Sequence, residues 1–86
     1  MENEDLIVQQ FERCCEKALQ IVSERNPSIL GINLTIKDTL RRVLFESEFP
    51  QIEDISVRVK KWYPLTVTIE VKTLVATYFA EYEIDN

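Results

Sequence analysis

Apolar residues in the first third of the chain recur with the period of an α-helix. Between residues 4 and 25 they fall at spacings of three and four, which places one apolar stripe along an amphipathic helix. The dipeptide Asn26–Pro27 follows, and the predicted helix ends there because proline cannot continue it. The stripe contains Ile7, Phe11, Cys14, Cys15, Ala18, Leu19 and Val22.

A second helix is predicted after Gly31, the only glycine, which we expect to supply a turn. Thr35 and Asp38 have the spacing of a capping box, although aspartate is shorter than the usual glutamate or glutamine. The helix is predicted to run from there through about residue 48, where Phe49–Pro50 ends it. Its apolar stripe is Ile36, Leu40, Val43 and Leu44.

Residues 54–60 and 65–72 alternate apolar and polar side chains with a period of two. This pattern is typical of strands with one buried face, and it predicts an antiparallel hairpin that turns near Trp62–Pro64. The apolar face consists of Ile55, Val57, Val59, Leu65, Val67, Ile69 and Val71. The polar face consists of Arg58, Lys60, Thr66, Thr68, Glu70 and Lys72.

The C-terminal segment, "TLVATYFAEYEI", fits two structures. Five residues form a helical stripe, but the segment also alternates, and its Thr, Val and Tyr content favours a strand. A third antiparallel strand needs a tight turn near residue 73, where no Gly, Asn, Asp or Pro occurs. We therefore predict an α+β fold in which two N-terminal helices pack on a β-hairpin. A C-terminal helix is preferred to a third antiparallel strand. The helical stripe would be Leu74, Val75, Tyr78, Phe79 and Tyr82.

The length and composition predict one compact domain, residues 1–86. A chain of 86 residues that is 45% hydrophobic builds a single core. The initial methionine suggests a complete small gene product. No basic segment precedes an apolar run as in a secretory signal, and no apolar run approaches the roughly 20 residues that cross a bilayer. We therefore expect no membrane partner.

The two cysteines, Cys14 and Cys15, are adjacent in the first predicted helix. Side chains of neighbouring helical residues point in different directions, so a disulfide between them is incompatible with the helix. Two free thiols indicate a reducing compartment, and the predicted location is cytoplasmic. Cys14 lies on the apolar stripe and is interpreted as a buried structural residue, whereas Cys15 lies nearer the edge of the stripe.

Several kinds of chemistry lack the residues they need. The chain has no histidine, which is the usual general base and the commonest metal ligand. Two vicinal cysteines cannot complete a four-ligand zinc site, and one glycine cannot build a phosphate-binding loop. The carboxylate pairs Glu46/Glu48 and Glu53/Asp54 are interpreted as solvated. The sequence therefore predicts no enzyme, no cofactor and no metal site.

Positive charge is concentrated in the middle of the chain, around Lys37, Arg41, Arg42, Arg58, Lys60 and Lys61. The net charge is −5, yet basic residues outnumber acidic ones between residues 31 and 62. Trp, Tyr and Arg are the residue types that most often dominate protein interfaces. The predicted partner-binding residues are therefore Arg58, Lys60, Lys61, Trp62 and Tyr63.

The predicted function is that of a small non-enzymatic protein–protein interaction module, such as an adaptor, an inhibitor or an accessory subunit. Its partner is expected to be another protein or a second copy of the chain, since a hairpin edge can also accept a strand. The alternative is a single-stranded nucleic-acid-binding protein, in which aromatic rings stack on bases and cations follow the backbone. A third interpretation is that Trp62 or Tyr63 covers the end of the core.

Overall fold

Two helices form where the apolar spacing predicts them. The computed structural model describes residues 2–25 and 30–84, with side chains from Leu6 onward. Helix α1 spans Glu2–Arg25 and helix α2 spans Ile32–Glu46. Residues 26 and 27, the predicted stop signal of α1, lie outside the described residues.

Helix α2 begins three residues before the predicted capping box. Gly31 has φ 76°, a left-handed conformation that glycine adopts without a Cβ penalty. Its carbonyl oxygen accepts the backbone N–H groups of Leu34 and Thr35 at 3.0 and 3.1 Å. The predicted box of Thr35 and Asp38 is wrong, because the glycine turn starts the helix at Ile32 without a side-chain cap.

The end of α2 is a Schellman motif. Glu48 has φ 56°, and its N–H donates to the Phe45 carbonyl at 3.1 Å. The N–H of Phe49 donates to the Leu44 carbonyl at 3.0 Å, which completes the motif. The helix therefore stops at Glu46, two residues earlier than predicted, and Phe49 turns into the core.

The strands form a three-stranded antiparallel sheet in the order β1-β2-β3. Strand β1 spans Ile52–Trp62, β2 spans Leu65–Thr73 and β3 spans Thr77–Glu83. The predicted hairpin is confirmed, and its turn is Tyr63–Pro64, with a cis peptide bond between the two residues. Trp62 and Leu65 are paired on either side of this turn.

The preference for a C-terminal helix is wrong, and the alternative strand forms instead. The hydroxyl of Thr73 donates to the Ala76 carbonyl at 3.0 Å and accepts the Ala76 N–H at 3.1 Å. It also accepts the Val75 N–H at 3.4 Å. The side chain of one threonine thus stabilises a turn at which glycine or asparagine is usual. Leu74 and Val75 of the predicted helical stripe are exposed in this turn.

The core lies between the helices and one face of the sheet. Helix α1 packs on α2 and β3, and α2 packs on β1. Phe11 of α1 contacts Phe49 and Tyr78, with ring centroids 6.4 and 5.6 Å apart. The buried apolar residues of the sheet are Ile55, Val57, Leu65, Val67, Ile69 and Val71. The face that bears them is called the covered face, and the opposite face is called the open face.

No helix in the described part of the chain is long and apolar enough to cross a membrane.

Candidate functional site at the tip of the first hairpin

A β-bulge at Lys60 changes the direction of the side chains near the hairpin tip. Val59 is paired with Val67, but the next pair joins Lys61 to Thr66, so Lys60 is an extra residue in β1. Because side chains alternate along a strand, one extra residue reverses the faces of every residue after it. The bulge therefore decides where Lys61 and Trp62 point.

The bulge separates the tryptophan from the cations. Lys61 is paired with Thr66 on the open face, whereas Trp62 is paired with Leu65 on the covered face. Arg58 precedes the bulge and is paired with Thr68, so it also lies on the open face. The predicted binding residues therefore meet at one end of the sheet, but the cations and Trp62 belong to different faces.

An ion pair crosses the open face beside the tip. The Nζ atom of Lys60 lies 3.0 Å from Oε1 of Glu81 in β3. Both side chains are substantially exposed, so the pair contributes little to stability, within about 1 kcal/mol. The pair holds the Lys60 side chain across β2. Basic residues at the end of β1 therefore lie close to acidic residues of β3.

The two aromatic side chains at the tip remain in solvent. Trp62 is 50% exposed and Tyr63 is 90% exposed, whereas Leu65 on the next strand is 2% exposed. The core is thus filled at this end by Leu65. The interpretation that Tyr63 covers the core is wrong, and Trp62 is likewise absent from the side chains that pack against the core.

A shallow depression lies beside the tip on the outside of the sheet. It has a volume of about 480 Å³ and contains both acidic and basic side chains. Its mixed charge suits polar contacts with a macromolecular surface better than it suits a single small anion or cation. It is lined by Lys60, Lys61, Pro64, Thr66, Glu81, Tyr82 and Glu83.

The cysteines do not supply a reactive thiol at this site. Both are buried, and Cys15, predicted nearer the edge of the stripe, is fully enclosed. Burial raises the pKa of the Cys15 thiol from 9.0 to about 12, with smaller contributions from Cys14 and the carboxylates of Glu12 and Glu16. A reactive cysteine needs a lowered pKa, so Cys15 acts as a core residue.

The remaining candidates for chemistry are the carboxylates of the two predicted pairs, which lie around the connection between α2 and β1. Glu46, Glu48, Glu53 and Asp54 are all exposed. In the described residues no group of three or more Cys, Asp or Glu side chains is placed to hold a metal ion. Glu53 and Asp54 line an open cleft at the start of β1, together with Arg41.

Two features of the surface were missed from the sequence. The first is the acidic strand β3, whose Glu81 pairs with Lys60 and whose Phe79 is 65% exposed on the open face. The alternation of residues 77–83 indicates this strand, but the same residues also fit a helical stripe, and the helix was preferred. The second is a cleft of about 600 Å³ beside Phe45, Phe49 and Ile52, at the opposite end of β1 from the tip.

The fold is a two-helix, three-stranded antiparallel α+β domain. No protein-family model, no curated protein and no solved structure matches the chain.

Proposed function

We propose that this protein is a non-enzymatic interaction module that binds another protein through the tip of the β1–β2 hairpin. The exposure of Trp62 and Tyr63 is the observation on which the proposal depends. Large aromatic side chains in solvent favour burial against a partner, and Trp and Tyr are the residues that most often dominate interfaces. An adaptor, an inhibitor and an accessory subunit all use such a surface.

The charges around the tip indicate the chemistry of the partner. Among the described residues the single ion pair joins Lys60 to Glu81, so Arg58 and Lys61 retain their charge for another molecule. We expect the partner to offer an apolar pocket for the two rings, with carboxylates along the side that meets Lys61. Complementary charges at the rim of an interface mainly raise the association rate and fix orientation.

Single-stranded nucleic acid is the second candidate, and the cations of the open face favour it. Three features of the same region count against it. Trp62 lies on the covered face, Lys60 is held by Glu81, and Glu70 and Glu83 add negative charge to the open face. A stacking platform requires rings and cations on one side, together with a positive field along the groove. The geometry therefore favours a protein partner.

The experiment is quantitative affinity capture from the native host, followed by binding measurements with the captured protein. The double variant Trp62→Ala/Tyr63→Ala should weaken binding by about 30-fold or more, since an interface hot spot contributes about 2 kcal/mol. Lys61→Glu should lower the association rate and make it less sensitive to salt.

The matched control is Phe45→Ala. Phe45 is another exposed aromatic residue, and it lies on α2 near the start of β1. Its substitution therefore removes a similar exposed apolar area without changing the tip. Equal binding by the double variant and the wild type would refute the proposed surface. Oligonucleotide binding that falls steeply with salt, and that Arg58→Ala weakens, would support the nucleic-acid alternative instead.

A further inference from the structure

Strand β3 is an open edge of the sheet. In the described part of the chain it pairs only with β2, and helix α1 packs on its covered face. The Thr73 N–H donates to the Ala76 carbonyl and the Ile84 N–H donates to the Leu65 carbonyl, both at 2.8 Å. In an antiparallel ladder, hydrogen-bonded pairs alternate with pairs whose backbone groups point away from each other. The pairs Thr73–Ala76 and Leu65–Ile84 are hydrogen-bonded, so every second residue between Ala76 and Ile84 also bonds to β2. The N–H and C=O groups of the residues between them point to the open edge. These residues are Thr77, Phe79, Glu81 and Glu83.

This edge is more regular than the edge formed by β1. Strand β1 has register shifts after Ile52 and after Val59, and bulges of this kind obstruct pairing with a further strand. The pairing of β2 with β3 runs without a shift from Thr77 to Glu83, and no proline interrupts it. Its outward-facing backbone groups are thus arranged as a ladder that another strand can continue.

We propose that β3 pairs antiparallel with β3 of a second copy of this chain, with the two-fold axis at Ala80. In this register Phe79 lies opposite the partner's Glu81, and Thr77 lies opposite the partner's Glu83. All four outward-facing residues then meet outward-facing residues, and each such pair exchanges two backbone hydrogen bonds. The two three-stranded sheets become one six-stranded sheet.

The side chains distinguish this register from its neighbours. A two-fold axis at Glu81 places two Glu81 carboxylates directly opposite each other, which is destabilising. With an axis at Phe79, Glu83 would lie opposite residue 75 of the second copy, which precedes β3. Its outward-facing backbone groups would then have no strand to pair with. With the axis at Ala80, no carboxylate of the strand lies opposite another, and each glutamate faces a threonine or an aromatic ring.

The side chains of β3 also fit this pairing. Phe79 is 65% exposed in the single chain, and the methylene groups of the partner's Glu81 cover part of its ring. On the covered face Tyr78 comes opposite the partner's Tyr82, and aromatic cross-strand pairs stabilise a sheet. The association is isologous, so it closes at a dimer.

This inference extends the proposed function by identifying one binding surface and its occupant. The edge residues are distinct from Trp62 and Tyr63 at the hairpin tip. A failure to dimerise would therefore refute the pairing and leave the binding of a protein by the tip untouched. Loss of partner capture on substitution of Trp62 has no bearing on the dimer.

Sedimentation equilibrium over about a hundredfold range of protein concentration tests the pairing. The wild-type protein should show a reversible monomer–dimer equilibrium. Phe79→Glu places a carboxylate opposite the partner's Glu81 twice in each dimer, and it should raise the dimer Kd by about tenfold or more. Phe79→Lys removes the same ring but faces the partner's Glu81 with a cation, so the dimer should persist.

The control is Gln51→Glu, which adds the same charge at an exposed position before β1, the strand farthest from β3, and should leave the dimer Kd within about twofold. Circular dichroism establishes that each variant is folded. A monomer at every concentration overturns the proposal, and it is the result expected if a strand of a different protein occupies the edge. Equal weakening by Phe79→Glu and Phe79→Lys, or a dimer insensitive to both, also overturns it.

Discussion

The thiol of Cys15 illustrates how its surroundings set the chemistry of a single residue. It is fully buried on α1, and the side chain of Tyr82 on β3 is a neighbour that influences its pKa. Desolvation is the main reason that the pKa of Cys15 rises to about 12. Desolvation also raises the pKa of Tyr82, and the neighbouring Cys15 and Glu16 contribute in the same direction. Both groups are therefore held in their neutral forms.

We predict that alkaline pH destabilises the protein through these two groups. The Cys15 thiol has a pKa of 9.0 in the unfolded chain and of about 12 in the folded protein, so between these values the unfolded chain binds fewer protons. The free energy of unfolding should thus be at its full value below pH 9 and decrease as pH rises towards 12. The Tyr82 hydroxyl adds a loss of the same sign above its ordinary pKa of 10.0. Urea unfolding at a series of pH values measures the effect.

Cys15→Ala should make this alkaline decrease shallower. The control is Val22→Ala, which removes buried atoms from the same helix without removing a titratable group. It should lower the free energy of unfolding at every pH and keep the slope of the wild type. A slope unchanged by Cys15→Ala would contradict the assignment to this thiol.

At the scale of the elements, the β2–β3 turn shows how one side chain replaces a familiar turn residue. The Thr73 hydroxyl contacts the Ala76 carbonyl, the Ala76 N–H and the Val75 N–H within 3.4 Å, and Thr73 itself is buried. The hydroxyl thus provides hydrogen-bond partners for backbone groups of the turn that no strand pairing satisfies. Strand β3, and with it the open edge, depends on this turn.

We predict that Thr73→Val destabilises the protein by about 1 kcal/mol. Valine retains the shape and the β-propensity of threonine but removes the oxygen that accepts the N–H groups of Val75 and Ala76. Denaturant unfolding measures the loss, and hydrogen exchange of the Ala76 amide should accelerate. Thr73→Ser is the matched control, because it keeps the hydroxyl and removes one methyl group. A Thr73→Val protein as stable as Thr73→Ser would show that the hydroxyl contributes nothing.

The bulge in β1 is a second feature at this scale. By adding Lys60 to the strand it places Lys61 on the open face and Trp62 on the covered face. A strand without the bulge would reverse both side chains. The composition of the candidate binding surface is therefore a consequence of strand register.

For the whole molecule, the cluster of Phe11, Phe49 and Tyr78 joins α1, the end of α2 and β3. The rings of Phe49 and Tyr78 are 5.6 Å apart and nearly perpendicular, an arrangement that adds to the burial of apolar area. Phe11 contacts both rings. A domain of this size has a small total stability, of order 5–15 kcal/mol, so one such cluster contributes a large share.

We predict that Phe11→Ala lowers the free energy of unfolding by about 3–5 kcal/mol, because it leaves a cavity where the three elements meet. Thermal and urea unfolding provide the measurement. Phe45→Ala, at an exposed aromatic residue of α2, should change the stability by no more than about 0.5 kcal/mol. Similar losses for the two variants would mean that the ring cluster does not hold the helices to the sheet.

The charges of the whole molecule also have a spatial order. On the open face the basic residues of β1 lie on one side of the threonines of β2, and the glutamates of β3 lie on the other. The Lys60–Glu81 pair connects the two sides. This arrangement gives the hairpin tip its cations and the β3 edge its carboxylates, so the two proposed surfaces differ in charge.

Local patterns in the sequence determined the helices, the first hairpin and most of the core. The spacing of apolar residues in α1 and α2 and the alternation of residues 54–72 reflect periods that the backbone imposes on any amphipathic element. The position of the five candidate binding residues at the end of the hairpin was predictable for a similar reason, because the alternation predicts the turn beside which they lie. The face of the sheet on which Trp62 lies was not predictable from the alternation, because it depends on the bulge at Lys60.

Tertiary contacts decided the remaining features. Residues 77–83 satisfy both a helical and an extended pattern, and the strand forms because β2 offers a hydrogen-bonding edge and Tyr78 packs on Phe11 and Phe49. The Thr73 turn, the bulge at Lys60 and the burial of Cys15 likewise depend on partners distant in the chain or on the register of a neighbouring strand. Short-range patterns encode the periods of the elements, whereas the choice between compatible conformations requires the surfaces against which they pack.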